Sequence, residues 1–185
     1  MAEPEIRIEE RKSLAERVHK NFVDEMWPKF RLHSHPGYCL VQIIPLISLG
    51  GFSYEPQESI FLNDVLSATS EIKNETYHET AHFLDPFNRE LYQQRMEPTL
   101  GDRLLHETVA NLATMIYLDL SEGNEVAKSF PFYFGRPTFS GLLALDLFEG
   151  DKNLLSELAH ISMKKARRII IPYLKRPLNV AKNPY

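Results

Sequence analysis

Apolar residues at Ile6, Ile8, Leu14, Val18, Phe22 and Val23 recur among charges at helical spacing and predict an amphipathic helix over residues 5–25. The stretch Tyr38–Leu49 is apolar and rich in β-branched side chains, with Pro45 interrupting it, and reads as strand. A turn-rich segment, Gly50-Gly51-Phe52-Ser53-Tyr54-Glu55-Pro56, leads to Ser59-Ile60-Phe61-Leu62-Asn63, a short β-favouring run. A helix is predicted over 70–84: Ser67, Thr69 and Ser70 offer capping oxygens, Glu71 and Glu75 suit the positive end of the dipole, and Asp85-Pro86 stops it. Ile72 is its one clear apolar residue early on, while Tyr77, Ala81, Phe83 and Leu84 follow later, so the second half is expected to be the more buried.

After a connecting loop over 84–101, Leu105, Val109, Leu112 and Ile116 form the stripe of another helix, with Asp102 as its cap after Gly101 and Gly123 beyond its end. Residues 124–138 read as loop around Pro131, Gly135 and Pro137, and Ser140–Tyr173 as two helices split near Gly150. The fold class expected is α+β in a single domain, 1–185. A small sheet and two long helices occupy 1–120, and a helical part fills 121–185.

Composition narrows the class. With 43% hydrophobic and 25% charged residues, the chain has the make-up of an ordinary soluble globule. A net charge of −4 argues against a whole-surface polyanion binder. After Glu157 no acid follows, while Lys164, Lys165, Arg167, Arg168, Lys175, Arg176 and Lys182 do; that segment reads as the favourable cationic end of a helix and a solvated tail. Nucleic-acid or protein docking is the alternative use of it. Cys39 is the only cysteine, which excludes an intrachain disulfide. No run is apolar enough to span a membrane and the acidic start carries no signal-peptide pattern, so a cytoplasmic protein is expected.

The chemistry concentrates in His78-Glu79-Thr80-Ala81-His82. Histidines four apart leave one face of a helix together, so two imidazoles can reach one ion, and Glu79 stands beside the first to take a proton from water. A catalytic zinc needs a third protein ligand. Glu107, on the second helix, can supply it, and Asn111 one turn further can place an amide behind a ligand histidine. The metzincin continuation is not met, because Asp85 stands where a glycine and Asn88 where a third histidine would be required. Asp85 reads as a helix stop with Pro86, or as an acceptor behind a ligand.

Over roughly residues 55–120 these features resemble the gluzincin metallopeptidases, the superfamily that includes thermolysin, with H-E-x-x-H on one helix and a glutamate ligand on the next. Their glutamate helix often reads N-E-x-x-x-D; here His106 stands at the Asn and Asn111 at the Asp. The resemblance implies a zincin-like sheet, a Zn²⁺ held by His78, His82 and Glu107, peptide or protein substrates, and Glu79 as proton shuttle. It further implies a substrate-binding edge on the strand before the motif helix, Ile60, Phe61, Leu62 and Asn63, and a transition-state donor for which Tyr133, Arg136 and His106 are candidates. Two other readings stand beside it: a metal-holding regulatory protein without peptidase activity, and a docking module built on the basic C-terminal segment. The oligomeric state is not legible, and the tail Leu178–Tyr185 could cover the cleft. His33-Ser34-His35 falls in a turn with Pro36 and Gly37, and His19 and His160 stand alone in helical patterns.

Overall fold

A computed structural model describes residues 7–30, 35–46, 51–54, 58–85, 100–133 and 138–150. In chain order the elements are α1 (Ile8–Met26), β1 (Leu40–Ile44), β2 (Gly51–Tyr54), β3 (Ser59–Asn63), α2 (Thr69–Leu84), α3 (Leu100–Ser121), α4 (Asn124–Ser129) with a 3-10 turn at Phe130–Phe132, and α5 (Phe139–Gly150). The class is α+β, as the patterning predicts, with helices predominating. Among the described residues no helix is long and apolar enough to cross a membrane.

The sheet has three strands in the order β1-β3-β2. β1 runs parallel to β3, from Leu40 opposite Ser59 to Ile44 opposite Asn63, and β2 runs antiparallel to it, from Gly51 opposite Leu62 to Tyr54 opposite Ser59. β3 is therefore central, and both of its edges are spent on neighbours. This overturns the substrate edge expected at Ile60, Phe61, Leu62 and Asn63. Ser59, Ile60, Leu62 and Asn63 are buried, as a covered central strand requires.

Helix α1 buries Val18, Phe22 and Val23 of its predicted stripe, joined by Ala15 and Met26, while Leu14 is partly buried, Ile8 is exposed and Ile6 lies outside the described residues. Its Arg11 Nη1 donates to the carbonyls of Asp64 (2.6 Å) and Leu66 (3.0 Å), tying α1 to the turn between β3 and α2. Phe22, Tyr77 and Tyr117 then join α1, α2 and α3 through ring contacts with centroids 4.8 to 5.9 Å apart. α3 lies between α2 and α5, and every residue from Thr108 to Leu118 is buried. Polar groups survive there because Thr108 and Thr114 return their hydroxyls to the carbonyls of Leu104 (2.6 Å) and Ala110 (3.0 Å). Gly123, at φ +100°, closes α3 by donating its N–H to the Leu118 carbonyl at 2.9 Å.

Local expectations needed revision in three places. α3 begins at Leu100, so Asp102 lies in its first turn instead of capping it. Ala68 occupies the cap position of α2, and none of Ser67, Thr69 or Ser70 caps it; Glu71 reaches back to accept the N–H groups of Ser67 and Ala68, each at 3.1 Å. The expected loop at 124–138 contains α4 and the 3-10 turn, where Pro131 sits near the start and leaves few N–H groups to satisfy. Of the two helices expected over Ser140–Tyr173, the first is α5; the second lies outside the described residues, as do the basic segment and the tail.

Candidate metal centre

Helix α2 is built so that its last two turns are wholly interior: Glu79 through Leu84 are buried, and Asp85 ends the helix at φ −71°, ψ 114°. His78 and His82 leave the same face one turn apart, their ring centroids 4.6 Å apart and the planes at 85°. Their Nε2 atoms lie 3.1 Å from each other. From α3, Glu107 brings Oε2 to 3.3 Å from His78 Nε2 and Oε1 to 3.5 Å from His82 Nε2. The three side chains singled out as ligands are thus brought together by packing of α2 against α3.

That spacing can be tested against a metal. With zinc–nitrogen and zinc–oxygen bonds of about 2.0–2.1 Å, adjacent ligand atoms on a tetrahedron stand about 3.3 Å apart. The 3.1 Å between the two nitrogens, and the 3.3 and 3.5 Å from them to the two different oxygens of Glu107, lie close to that edge. Two imidazoles and one carboxylate also form the donor set of an open, catalytic zinc site. The Glu107 side chain is half-exposed, which gives the cluster a solvent-facing side.

Burial by itself depresses the His78 pKa, but the hydrogen bond and charge of Glu107, backed by Glu79 and Glu75, outweigh it and raise it to about 9. His82 is pushed well below its ordinary value by burial, with His106 and His78 adding to the effect. Burial raises Glu107, yet its hydrogen bond and charge contact with His78 win, and the carboxyl is held below the usual range. The protonated form of His78 is thus favoured beside the Glu107 carboxylate.

Glu79 is 4% exposed, and one of its carboxylate oxygens lies within 4.8 Å of a ring nitrogen on each of the two histidines. Its stem rests on β2: a Cβ added at Gly51 would stand 3.1 Å from Glu79 Cγ and 2.6 Å from the Phe61 carbonyl oxygen. Gly51 also donates its N–H to the buried Glu75 carboxylate, one turn before Glu79. Burial raises the Glu75 pKa, which the nearby His78 and the Gly51 N–H partly counter. Neither Glu75 nor Gly51 was singled out from sequence. The glycine-rich approach to β3 was the available signal, and it reads equally well as a turn.

The remaining candidates separate. Asn111 Nδ2 donates to the Glu107 carbonyl at 2.7 Å, and no hydrogen bond among the described residues joins it to His78 or His82, so the expected amide behind a ligand histidine is not found. His106 is brought to the centre, its ring 4.1 Å from that of His82 and its Nδ1 2.9 Å from Asp85 Oδ2. Tyr133 lines a depression with Thr69, Ser70, Lys73 and Asn74 at the far end of α2, whose walls include none of His78, His82 and Glu107. Arg136 lies outside the described residues. His35 accepts the Gly37 N–H at Nδ1 (3.1 Å) and bonds Asp24 through Nε2 (3.0 Å), which fixes a turn. His19 is a satisfied core residue: Nε2 accepts the Cys39 N–H and Nδ1 donates to Thr80 Oγ1, both at 2.9 Å. Comparison of the chain with protein-family models, curated proteins and solved structures gives no match.

Proposed function

We propose that this chain is a zinc-dependent metallopeptidase of gluzincin type, with His78, His82 and Glu107 holding the ion. The observation that carries the proposal is the convergence of both Nε2 atoms and the Glu107 carboxylate from two helices, the nitrogens 3.1 Å apart and each facing its own oxygen of Glu107 at 3.3 and 3.5 Å, lengths close to a tetrahedral edge. When bound, zinc lowers the pKa of water towards neutrality and polarises a carbonyl oxygen. Glu79 is placed to accept the proton of an attacking water and to return it to the leaving amine, a shuttle worth about 10²–10⁴-fold in rate. Packing on Gly51 confines its stem, so the carboxylate is presented from a fixed direction.

A peptide substrate is assigned to the outer edge of β2, replacing the β3 edge inferred from sequence. Gly51 turns its N–H away from β3 to Glu75, and strand alternation turns the Ser53 amide and carbonyl to that same outer side. An extended peptide paired there would run beside the catalytic helix, bound through main-chain groups with little demand on its side chains. A cytoplasmic setting belongs to the same proposal, in keeping with a chain whose single cysteine excludes an intrachain disulfide.

The test is cleavage of an unstructured protein such as casein by the zinc-loaded full chain, with chelator and Glu79→Gln as controls. Cleavage that chelation abolishes, zinc restores and Glu79→Gln loses while keeping its metal is the expected result. Zinc retained without cleavage would assign the centre to a binding or regulatory protein, and zinc lost in Glu79→Gln would make Glu79 a ligand.

A further inference from the structure

One pair of side chains at the centre has no role in the chemistry above. Asp85 closes α2, its N–H donating to the carbonyls of Ala81 (3.0 Å) and His82 (3.3 Å). Its carboxylate is fully buried and lies 2.9 Å from His106 Nδ1. A buried carboxylate is costly without a donor, and His106 supplies one. His106 comes from α3, one residue before Glu107, and its ring lies on that of His82 with centroids 4.1 Å apart and planes at 38°. Three groups thus stand in series: a carboxylate fixed at the end of α2, an imidazole held by it, and a ligand imidazole against the face of the second.

The Nδ1 side of His106 is engaged by Asp85. What the residue offers His82 is a ring face. His82 lies in the last turn of α2, where the helix supplies the fewest restraints, and its Nε2 must aim at the ion shared with His78 and Glu107.

Resting on the zinc-centre reading, we propose that Asp85 and His106 are a positioning pair. Asp85 locks the His106 ring, and the His106 face holds the His82 imidazole in the plane that directs Nε2 to the metal. The same contact pins the end of α2 to the start of α3 and so sets how far Glu107 reaches towards the two imidazoles. The His-x-x-Asp run at 82–85 and the His-Glu step at 106–107 are then two halves of one device.

The experiment is metal binding by the full chain, with zinc affinity from competition against a chelating dye and the visible spectrum of the cobalt(II)-loaded protein reporting ligand geometry. His106→Ala is expected to weaken zinc by about 10–100-fold and to shift the cobalt bands. His106→Phe, which keeps a ring face, should recover part of both. Asp85→Asn, whose amide oxygen can still accept the Nδ1 hydrogen, should recover most. Wild-type affinity and an unchanged cobalt spectrum in His106→Ala would overturn the proposal, as would a loss in kcat with affinity, spectrum and KM untouched, since His106 would then act on the substrate. If His106→Ala does not fold, the order Asp85→Asn above His106→Phe in affinity decides, and the reverse order refutes the pair. Absence of metal binding in the wild-type chain would remove the zinc centre itself, an outcome distinct from all of these.

Discussion

Replacing Gly51 by alanine is the sharpest mechanical perturbation the structure offers. The added Cβ would lie 2.6 Å from the Phe61 carbonyl oxygen and 3.1 Å from both Glu79 Cγ and Leu62 Cδ2. The first of these is backbone in the central strand and cannot rotate away, so β2 must retreat by roughly half an ångström, an overpacking that costs about 1–3 kcal/mol. For a domain of this size each kcal/mol lowers Tm by about 2–4 °C, so a fall of roughly 2–12 °C is expected by calorimetry. Retreat also slackens the packing against Glu79, and because a misplacement of about 1 Å can cost 10²-fold, casein hydrolysis should fall by about tenfold with zinc content unchanged. Gly123→Ala is the control: its φ of +100° is strained for alanine, but nothing lies within 4 Å of the new Cβ. It should cost about 1–2 kcal/mol and leave hydrolysis alone. Wild-type Tm and turnover in Gly51→Ala would refute the close approach of β2 to the catalytic helix.

Two pH dependences follow from the buried histidines. Because His78 in the metal-free protein is raised to about 9, zinc must displace its proton, and affinity should climb about tenfold per pH unit between roughly pH 6 and 8; a flat profile by competition titration would contradict the assignment. His19 is lowered to about 4 by burial, so the unfolded chain takes up a proton from about pH 6.5 downward while the folded chain refuses it. Stability of the zinc-free protein should therefore fall by up to about 3 kcal/mol as pH drops from about 6.5 to 4, and be indifferent to this group above that window. Urea denaturation of His19→Gln should show a flatter slope there, and parallel curves for the two proteins would count against it.

Much of the centre was legible because its parts obey local periodicity. The four-residue step from His78 to His82 and the stripe of α3 suffice to put three donors on two helices. Pairing is non-local, and there the reading failed. Nothing within Ser59–Asn63 says that β1 and β2 flank it, so from sequence a central strand reads as an edge. β2 itself was hidden because its glycine, present to admit the Phe61 carbonyl and Glu79, looks like turn punctuation. Helical angle alone is a poor guide where two helices meet. His106 sits about 100° round α3 from Glu107, yet where two helices meet both flanks of the contact are occupied, and that flank meets His82. Asn111 shares the face of Glu107, but a side chain four residues on can bond its own helix, and this one does.

The central claim is that two helices converge on one zinc ion through His78, His82 and Glu107, and zinc titration of the full wild-type chain beside Glu107→Ala tests it most directly. One equivalent bound by wild type is expected, with affinity reduced by orders of magnitude in Glu107→Ala, because two imidazoles alone leave the ion under-coordinated. Asn111→Ala, which loses only a bond to the Glu107 carbonyl, should stay close to wild type. No zinc in the wild-type protein, or full affinity in Glu107→Ala, would contradict the account.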